Sequence, residues 1–344
     1  MTWVPLLLAD QSPNLRYLVM KNLLNRTEND SEVKELQNIR KEDPFIANLL
    51  KLQSKVGIWE KGDFVGGAHS TKVFATAQAL VRLGYLGFTS DFPAVKKGAE
   101  YLFSLQRDDG SWALPKVREK QLERDGYEIM TLQTAIPLRG VAMCGYATDS
   151  RAEKAFEWLL VQRMSDGAWP TGIVKGNFGY VAGYRKIAHS RWGCRSNTSG
   201  ALSCLALHPK HQNSDEARKA LDLLLGRGTK EQYTIGFEVA RTMGIEQATG
   251  FITYFARYDL SFMLDLCWKV GATLEDERVS ELVKFILELQ GNYGLWEYQP
   301  KPQATRWITY DLLNSLSKID ESGDWISTEP RTPFQAYPKI RSRH

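Results

Sequence analysis

The chain has 344 residues, enough for one large domain or two ordinary ones, and its 44 Lys and Arg against 40 Asp and Glu give a net charge of +4. Because these charges are spread evenly, the sequence excludes a polybasic nucleic-acid-binding protein and a long charged tail. The four cysteines form no Cys-x-x-Cys pair, which argues against a disulfide framework or a zinc knuckle and favours a reducing compartment.

The hydropathy of the chain gives no sign of a membrane span. No run approaches the roughly 18 consecutive apolar residues of a transmembrane helix. The first ten residues have no basic segment and only a short apolar run before Asp10, unlike a secretory signal. The sequence therefore predicts a cytoplasmic protein, leaves a peripheral membrane contact open, and does not indicate an oligomeric state.

In chain order, apolar periodicity and capping residues predict twelve helices. Two leading helices run from Ser12 to about Asn25 and from Ser31 to about Lys41. Five pairs follow, each with an amphipathic first helix and a more apolar second helix. The first helices span 44–53, 92–106, 151–163, 214–226 and 276–290, and the second helices span 69–84, 128–145, 196–207, 257–271 and 306–319. No segment shows the alternation expected of a strand.

A short motif follows the first helix of most pairs. It reads Gln-x3-Gly-x-Trp at 53–59, 106–112 and 290–296, and at 162–169 with one extra residue. The last two tryptophans are 127 residues apart, about twice the other intervals of 53 and 57 residues. We therefore expect one degenerate unit between them, at residues 227–237.

Each residue type in the motif has a physical role. A glutamine at a helix end can donate to carbonyls that lack a partner there, and glycine permits a left-handed turn. Tryptophan covers the junction, and its indole N–H can donate to a neighbouring backbone. We expect the four tryptophans to pack between helix pairs, and alternating amphipathic and buried helices can close into a double ring with the buried set inside.

The four motifs, each between an amphipathic and a more buried helix, resemble the repeats of the terpenoid cyclase and protein prenyltransferase superfamily. The resemblance covers about residues 44–320 and is greatest to squalene–hopene cyclase-like proteins with a single toroid. It implies an all-α fold, an α/α toroid (α6–α6 barrel) of about twelve helices. The predicted domain is 1–320, with a leading helix pair over 1–43, five repeat units over 44–320, and a C-terminal tail over 321–344.

Squalene–hopene-type cyclases carry an Asp-x-Asp-Asp run at the start of one inner helix, with its last Asp twelve residues before the glycine that ends the helix. Of the matching positions in this sequence only Asp259 is acidic, and its neighbours Arg257 and Tyr258 do not complete the run. The full acid motif is therefore absent. The matching positions are Lys72, Gln133, Asn197, Asp259 and Ile308.

Zinc prenyltransferases hold their metal with Asp-x-Cys at the start of one inner helix and a His at the start of the next. This sequence has Asp259-Leu-Ser261 at the first place and Trp307 or Ile308 at the second, so the thiolate and the imidazole are missing. Asp265-Leu-Cys267 reproduces Asp-x-Cys, but it lies about two turns further into the helix. No Asp-Asp-x-x-Asp cluster or Gly-rich phosphate loop is present. The sequence predicts no metal and no cofactor.

Polar residues at inner-helix starts should face the cavity, and three candidates for catalysis are found there. Asp259 could be a general acid or base, or it could cap its helix or pair with Arg257 or Arg306. Asp311 could serve in the same way or pair with an arginine. His69 could donate a proton or could be a structural residue at a helix start.

Ten further residues are candidates for substrate binding. Cys194 could also be a nucleophile at a helix N-terminus, although no base partner is evident. The aromatic residues could stabilise a carbocation through their π faces or could simply pack in the core. The candidates are Lys72, Trp192, Cys194, Asn197, Arg257, Tyr258, Trp268, Arg306, Trp307 and Tyr310.

Three functions are compatible with these observations. The resemblance implies an enzyme with an apolar cavity that cyclises or isomerises an isoprenoid or other small hydrophobic substrate by metal-independent acid/base chemistry. The alternatives are a non-catalytic toroid that binds a lipid or a partner, and a lyase or hydrolase of an aromatic or sugar-like substrate. An isolated carboxyl in an apolar cavity would favour the first function, a ring without a cavity the second, and paired carboxylates among polar walls the third.

Overall fold

The computed structural model describes residues 1–60, 72–113, 129–226, 233–247 and 257–328, and these contain fourteen α-helices. Short π-helical segments, Val19–Leu23 and Ala142–Tyr146, extend α2 and α7. The helices are α1 (Val4–Leu8), α2 (Pro13–Leu18), α3 (Ser31–Ile39), α4 (Pro44–Lys51), α5 (Lys72–Tyr85), α6 (Pro93–Ser104), α7 (Thr131–Val141), α8 (Ser150–Val161), α9 (Arg195–Leu205), α10 (Asp215–Leu225), α11 (Phe237–Thr242), α12 (Leu260–Lys269), α13 (Glu277–Glu288) and α14 (Thr305–Ile319).

Each of the twelve predicted helices corresponds to one of these, with ends that differ by a few residues, and α1 and α11 are additional. Many of the helices begin where the sequence offers a capping side chain. The oxygens of seven such residues accept backbone N–H groups of the first helical turn, as caps do. They are Ser12, Asp30, Asp43, Asp149, Ser214, Asp259 and Asp276.

The strands in the described residues are short and form three separate two-stranded pairs. The strand β1 (Thr2–Trp3) runs parallel to β6 (Ile326–Ser327), and β2 (Ile173–Val174) runs antiparallel to β3 (Asn177–Phe178). The third pair is parallel and joins β4 (Tyr233–Thr234) to β5 (Tyr258–Asp259). The fold is therefore all-α, and no helix among the described residues combines the length and apolarity needed to cross a membrane.

Six helices form the inner ring of an α/α toroid. Helices α2, α5, α7, α9, α12 and α14, with the π-helical extension of α2, all contribute residues to one cavity on the axis of the ring. The inner helices are buried on nearly every side, and every residue of α7 and ten of the eleven residues of α9 are buried. The amphipathic helices α3, α4, α6, α8, α10 and α13 lie outside them.

The four Gln-to-Trp turns share one pattern of hydrogen bonds. Each indole Nε1–H donates, at 2.7–2.8 Å, to the carbonyl ten residues earlier near the end of the outer helix. Each tryptophan backbone N–H donates, at 3.0–3.2 Å, to a threonine Oγ1 of the following inner helix, and these acceptors are Thr76, Thr134, Thr198 and Thr309. Every turn thereby ties an outer helix to the inner helix that follows it.

The glutamines tie each turn to the next unit. Nε2 of Gln53 donates to the carbonyl of Gly57 and, at 2.9 Å, to that of Ala94 at the start of α6. Gln106 makes the same pair of bonds, the second to Arg151 at the start of α8. The prediction that these glutamines pair with carbonyls is confirmed, but the carbonyls belong to the turn and to the next outer helix.

The glycines permit the turns to approach the next unit closely. Gly57, Gly110, Gly167 and Gly294 all have positive φ angles, from +75° to +98°, as predicted. A Cβ on Gly57 would overlap the backbone of Lys97 in α6, and one on Gly110 would overlap the backbone of Lys154 in α8.

The fourth turn closes the ring by packing against the first residues of the chain. It lies so close to the backbone of Met1 and Thr2 that a Cβ on Gly294 would overlap them. The Thr2 hydroxyl also donates to the Gly294 carbonyl, and Nε2 of Gln290 donates to Thr2 Oγ1 at 2.9 Å. The β1–β6 pair brings residues of the predicted tail to the same place. The division into a domain over 1–320 and a tail over 321–344 otherwise remains a prediction.

Helix α11 is the element that the repeat did not predict. It packs against α5, α12 and α14 inside the ring. The degenerate unit expected at residues 227–237 stays a prediction, because residues 227–232 lie outside the described residues. Gly236, which precedes α11 with a φ of +75°, lies against Ile308 of α14, while Arg82 Nε of α5 donates to the Thr242 carbonyl at 2.7 Å. A short helix therefore occupies part of the ring axis.

We expect Trp169→Ala to lower the free energy of unfolding by about 3–5 kcal/mol, the usual cost of removing a large buried aromatic side chain. Trp169 is fully buried, and its indole donates to the Leu159 carbonyl. Urea denaturation followed by circular dichroism measures the loss. Trp158 lies on α8, the outer helix before this turn, and is half-buried. Trp158→Ala is therefore the matched control and should lower the free energy of unfolding by less. Equal losses would contradict the structural role of the turn.

Candidate active site

A cavity of about 250 Å³ lies on the axis of the ring. Helix α11 forms one part of its wall through Glu238, Val239 and Thr242. The residues of the inner helices that line the cavity come mainly from the middle and C-terminal parts of these helices. The sequence predicts instead a site at the helix starts. The contributing side chains include Asn22, Tyr85, Arg139, Ser203, Phe262, Asp265, Trp268, Lys269, Tyr310 and Asp311.

Asp311 is a titratable group of the cavity with a strongly perturbed pKa. Burial raises the pKa of Asp311 well above its usual range, and the negative charge of Asp265 raises it further, against the opposing charge of Lys269. The Tyr85 hydroxyl donates to Asp311 Oδ1 at 3.3 Å. The Asp311 side chain is partly accessible and lines the cavity. Burial and the charge of Asp265 therefore favour the protonated form of Asp311.

Asp265 is the second carboxyl group in the cavity wall. It lies on α12, one helical turn before Lys269, whose Nζ is 2.7 Å from Asp265 Oδ2. The cavity wall thus contains two carboxyl groups, one paired with a lysine and one whose pKa is raised by burial.

Aromatic rings form much of the remaining wall. Phe262, Trp268 and Tyr310 all contribute to the cavity, together with Tyr85. Asn22 Nδ2 donates to the Tyr310 hydroxyl at 2.6 Å, and burial raises the pKa of Tyr310, so this phenol keeps its proton. Rings with exposed π faces can stabilise a cation that develops beside them.

A buried charge network lies where α11 meets α5 and α7. Glu238 binds Arg241 through both carboxylate oxygens, at 2.6 and 2.9 Å, and it also binds Arg139 at 2.5 Å. Arg241 in turn donates to Gln78. Burial alone would raise the pKa of Glu238, but Arg241 and Arg139 together hold it below its usual value. Glu238 is therefore ionised and fixed in place.

The structure assigns Asp259 to helix capping. Its Oδ1 accepts the Ser261 N–H at 3.1 Å at the start of α12 and the Gly236 N–H at 2.9 Å, and its Oδ2 accepts the Glu238 N–H at 2.7 Å. The Ser261 hydroxyl also donates to Oδ1. Burial raises the pKa of Asp259, and the N–H donors oppose that rise. Asp259 does not line the cavity, so the structure favours the capping alternative, and a catalytic role stays a prediction without a cavity contact.

Of the ten predicted substrate-binding residues, only Trp268 and Tyr310 line the cavity. Tyr258 and Trp307 are buried in the core, and Cys194 is buried at the start of α9. The physical reason is that residues at the starts of the inner helices face neighbouring segments and not the axis. The third catalytic candidate, His69, lies outside the described residues.

The other polar candidates have structural partners. Asn197 accepts the Leu132 N–H at 2.8 Å and so links α9 to α7. Lys72 is exposed and pairs with Glu60 at 2.7 Å. Arg306 pairs with Asp10 at 3.1 Å and borders an open groove near the start of α14, away from the axial cavity. The guanidinium of the exposed Arg257 lies 4.0 Å from the centre of the Phe237 ring, and Trp192 is half-buried near Phe178, with ring centres 6.4 Å apart.

One group in the described residues has donor atoms close enough for a metal: Glu153, His208 and His211, within 4.8 Å of one another. His208 Nδ1 accepts the N–H groups of Lys210 and His211, so its Nε2 carries the proton and donates to Glu153 at 2.9 Å. A metal on Nε2 would require a proton on Nδ1, facing those two N–H groups. The geometry therefore favours a structural histidine, and the absence of a metal stays a prediction.

Sequence reasoning missed Asp265, Lys269, Tyr85 and the α11 network as parts of the site. The usable signal for Asp265 was an acid inside an otherwise apolar run, residues 260–268, on a helix predicted to be inner. Such an acid must face either a partner or the ring axis. No local signal places Glu238 beside Arg139, which is 99 positions away in the sequence.

We expect Asp259→Asn to lower the free energy of unfolding by about 1–3 kcal/mol. Both carboxylate oxygens accept backbone N–H groups, and the NH₂ group that replaces one of them cannot accept a hydrogen bond. Chemical denaturation measures the change. Asp30 caps α3 alone, and Asn is as good a cap as Asp, so Asp30→Asn should have little effect. If both variants were equally stable, Asp259 would not be the joint cap of α11 and α12.

The pKa of Asp311 predicts a dependence of stability on pH. In the unfolded chain this group titrates near about 3.9, and in the folded protein its pKa lies well above that value. Between these two pKa values the folded state binds more protons than the unfolded state, so stability falls as pH rises. We expect the unfolding free energy of the wild type to fall relative to that of Asp311→Asn over this window. Parallel pH profiles would contradict a raised pKa.

Comparison with known proteins finds no matching family model. The chain is 26% identical over 147 residues to a squalene–hopene cyclase of Zymomonas mobilis, a match covering 42% of this chain and 21% of that protein. It is 27% identical over 127 residues to a squalene–hopene cyclase of Bradyrhizobium diazoefficiens, covering 36% of this chain and 18% of that protein. The matched stretch thus spans about a fifth of the length of these curated relatives.

Solved structures with a similar arrangement include a variant of the type II terpene cyclase MstE from Scytonema in complex with geranylgeranyl dihydroxybenzoate. It is 15% identical, with a TM-score of 0.47, and the match covers 79% of this chain and 70% of that one. A protein from Actinoplanes is also 15% identical, with a TM-score of 0.46 and coverage of 83% and 75%. The sequence matches to squalene–hopene cyclases confirm the resemblance of this chain to the terpenoid cyclase superfamily.

Proposed function

We propose that the protein is an acid/base enzyme that cyclises or isomerises a small isoprenoid substrate. The observation that carries this proposal is Asp311, a carboxyl group in the wall of the axial cavity, near Asp265, whose pKa is raised by burial. Perturbed acids in a cavity are typical of catalytic sites. The cyclase activity named for the two relatives is consistent with this assignment.

The raised pKa decides which substrate group can be protonated. A carboxylic acid with a raised pKa is a weak proton donor, so a carbonyl or epoxide oxygen is a better proton acceptor for Asp311 than an isolated double bond. We therefore propose a substrate in which such an oxygen and a carbon–carbon double bond lie in the same molecule.

The proposed reaction transfers one proton in and one proton out. Asp311 donates its proton to the oxygen, and the electron pair of the double bond attacks the activated carbon to form the new ring bond. The tertiary cation that remains faces Phe262 and Trp268, and Asp265 removes a proton from a carbon next to the cation, which restores a double bond. Proton transfer from Asp265 to Asp311 completes the cycle, so the product is an isomer of the substrate and no metal is needed.

A lyase or hydrolase is the second candidate, because the cavity meets the criterion set for it from the sequence: two carboxyl groups, with polar Arg139 and Ser203 in the wall. The cyclase is placed first because both relatives are squalene–hopene cyclases. In that reaction Asp311 would protonate a leaving group while Asp265 activated water or removed a proton. The two candidates predict products of different mass. A binding role without catalysis predicts no product at all.

Citronellal tests the proposal, since this ten-carbon isoprenoid contains an aldehyde and one double bond. Incubation followed by gas chromatography and mass spectrometry should show a cyclic product of unchanged mass. Asp311→Asn should reduce the rate by about 10²–10⁴, the usual contribution of general acid catalysis. Hydration would add the mass of water and would favour the second candidate.

Asp108→Asn is the matched control, because Asp108 is an exposed acid in the turn after α6 and should leave the rate unchanged. Asp265→Asn should also slow the reaction, since the proton acceptor is lost. A wild-type rate in Asp311→Asn would refute the assignment of the acid.

We also propose a cytoplasmic protein that contacts anionic membranes peripherally. The support is an exposed group of three aromatic residues near the β2–β3 hairpin, Phe178, Tyr180 and Tyr184. Exposed Lys175 and Lys186 lie beside them in the sequence, and no acidic residue occurs between 167 and 214. Aromatic rings with nearby basic groups are typical of contact with a lipid headgroup region.

A further inference from the structure

The axis of the ring is partly filled by a helix of the same chain. Helix α11 packs against α5 on one side and against α12 and α14 on the other. Arg82 of α5 holds its C-terminal end through the Thr242 carbonyl, and Ile308 of α14 lies against Gly236 at its start. These contacts come from inner helices on different sides of the ring, so α11 spans the space between them.

Helix α11 is fixed there by buried charges. Asp259 accepts the Gly236 and Glu238 N–H groups at its start, and Glu238 is bound by Arg139 and Arg241. Arg241 is fully buried. Displacing α11 would separate these charges without hydration, which is strongly unfavourable. A ligand would therefore have to fit the cavity as α11 leaves it.

One face of α11 forms part of the cavity wall. Glu238, Val239 and Thr242 line it, and they lie within about one helical turn of each other. The cavity that remains is about 250 Å³. An apolar cavity of about 150 Å³ holds benzene, which has six carbon atoms. By the same ratio of volume to carbon atoms, the present cavity holds about ten carbon atoms. It is also slightly below the range of about 300–1,000 Å³ usual for ligand pockets.

We infer that α11 is a floor that limits the site to short isoprenoids of about ten carbons, and that Val239 and Thr242 set this limit. The inference rests on the proposed function in that it concerns the same cavity, but it requires only binding there. In this inference the prenyl chain points toward α11, so a longer chain would have to enter the volume that α11 occupies.

Equilibrium dialysis with prenyl alcohols, quantified by gas chromatography below their solubility limits, tests the floor. Geraniol, farnesol and geranylgeraniol have ten, fifteen and twenty carbons and share one head group. The wild type should bind geraniol at least tenfold more tightly than geranylgeraniol. Val239→Ala and Thr242→Ala deepen the cavity and should reduce that ratio several-fold, whereas Val239→Phe fills the cavity and should weaken geraniol binding at least tenfold.

Val33→Ala is the matched control, because Val33 is fully buried in a separate small cluster with Met20 and Leu36 and does not line the cavity. It should keep the wild-type ratio, and thermal melts identify any variant that fails to fold. Equal affinities for the three alcohols, no binding of any of them, or a ratio unchanged in both alanine variants would overturn the inference.

The same dialysis separates this inference from the proposed function. Asp311→Asn removes the proton donor and leaves the floor intact, so it should retain the chain-length preference after losing turnover. If citronellal is not converted but the length preference follows Val239 and Thr242, the floor stands and the proposed chemistry fails. If turnover depends on Asp311 while long alcohols bind as well as geraniol, the chemistry stands and the floor fails.

Discussion

The hydrogen bonds of the Gln-to-Trp turns determine how the helix pairs are arranged. In the first turn, Trp59 donates from its indole to the outer helix behind it and from its backbone to Thr76 of the inner helix ahead, while Gly57 allows the turn to touch α6. Repetition of these contacts fixes the angle between successive pairs. The last turn applies the same geometry to the first residues of the chain, and the ring closes.

This ring explains why so many polar residues of the inner helices are structural. A helix that is buried on all sides has no solvent for its polar groups, so each one requires a partner inside the protein. Asn197 meets that requirement by linking α9 to α7, and Asp259 by capping two helices. Groups that face the axis have fewer neighbours, and the carboxyls Asp265 and Asp311 lie there.

The helices and turns could be predicted from sequence because their signals are local: apolar periodicity, capping side chains and a recurring motif. The position of the cavity could not, because it depends on α11 and on contacts between residues such as Arg139 and Glu238, far apart in the chain. The sequence prediction of Asp259 as a catalytic acid rests on its distance from the glycine that ends its helix. That distance contains no information about the N–H groups of Gly236 and Glu238, which donate to Asp259 in the structure.

Helix α11 also connects the packing of the ring to the acidity of the site. Burial is the largest cause of the raised pKa of Asp311, and an open axis filled with water would remove much of it. An apolar plug would exclude water with less cost of desolvation than the Arg139–Glu238–Arg241 network. The charges, however, allow only one position of α11 along its axis. Glu238 has to pair with Arg139 of α7 while Arg241 donates to Gln78 of α5. The network therefore positions α11 in the cavity wall and preserves the burial that raises the pKa of Asp311.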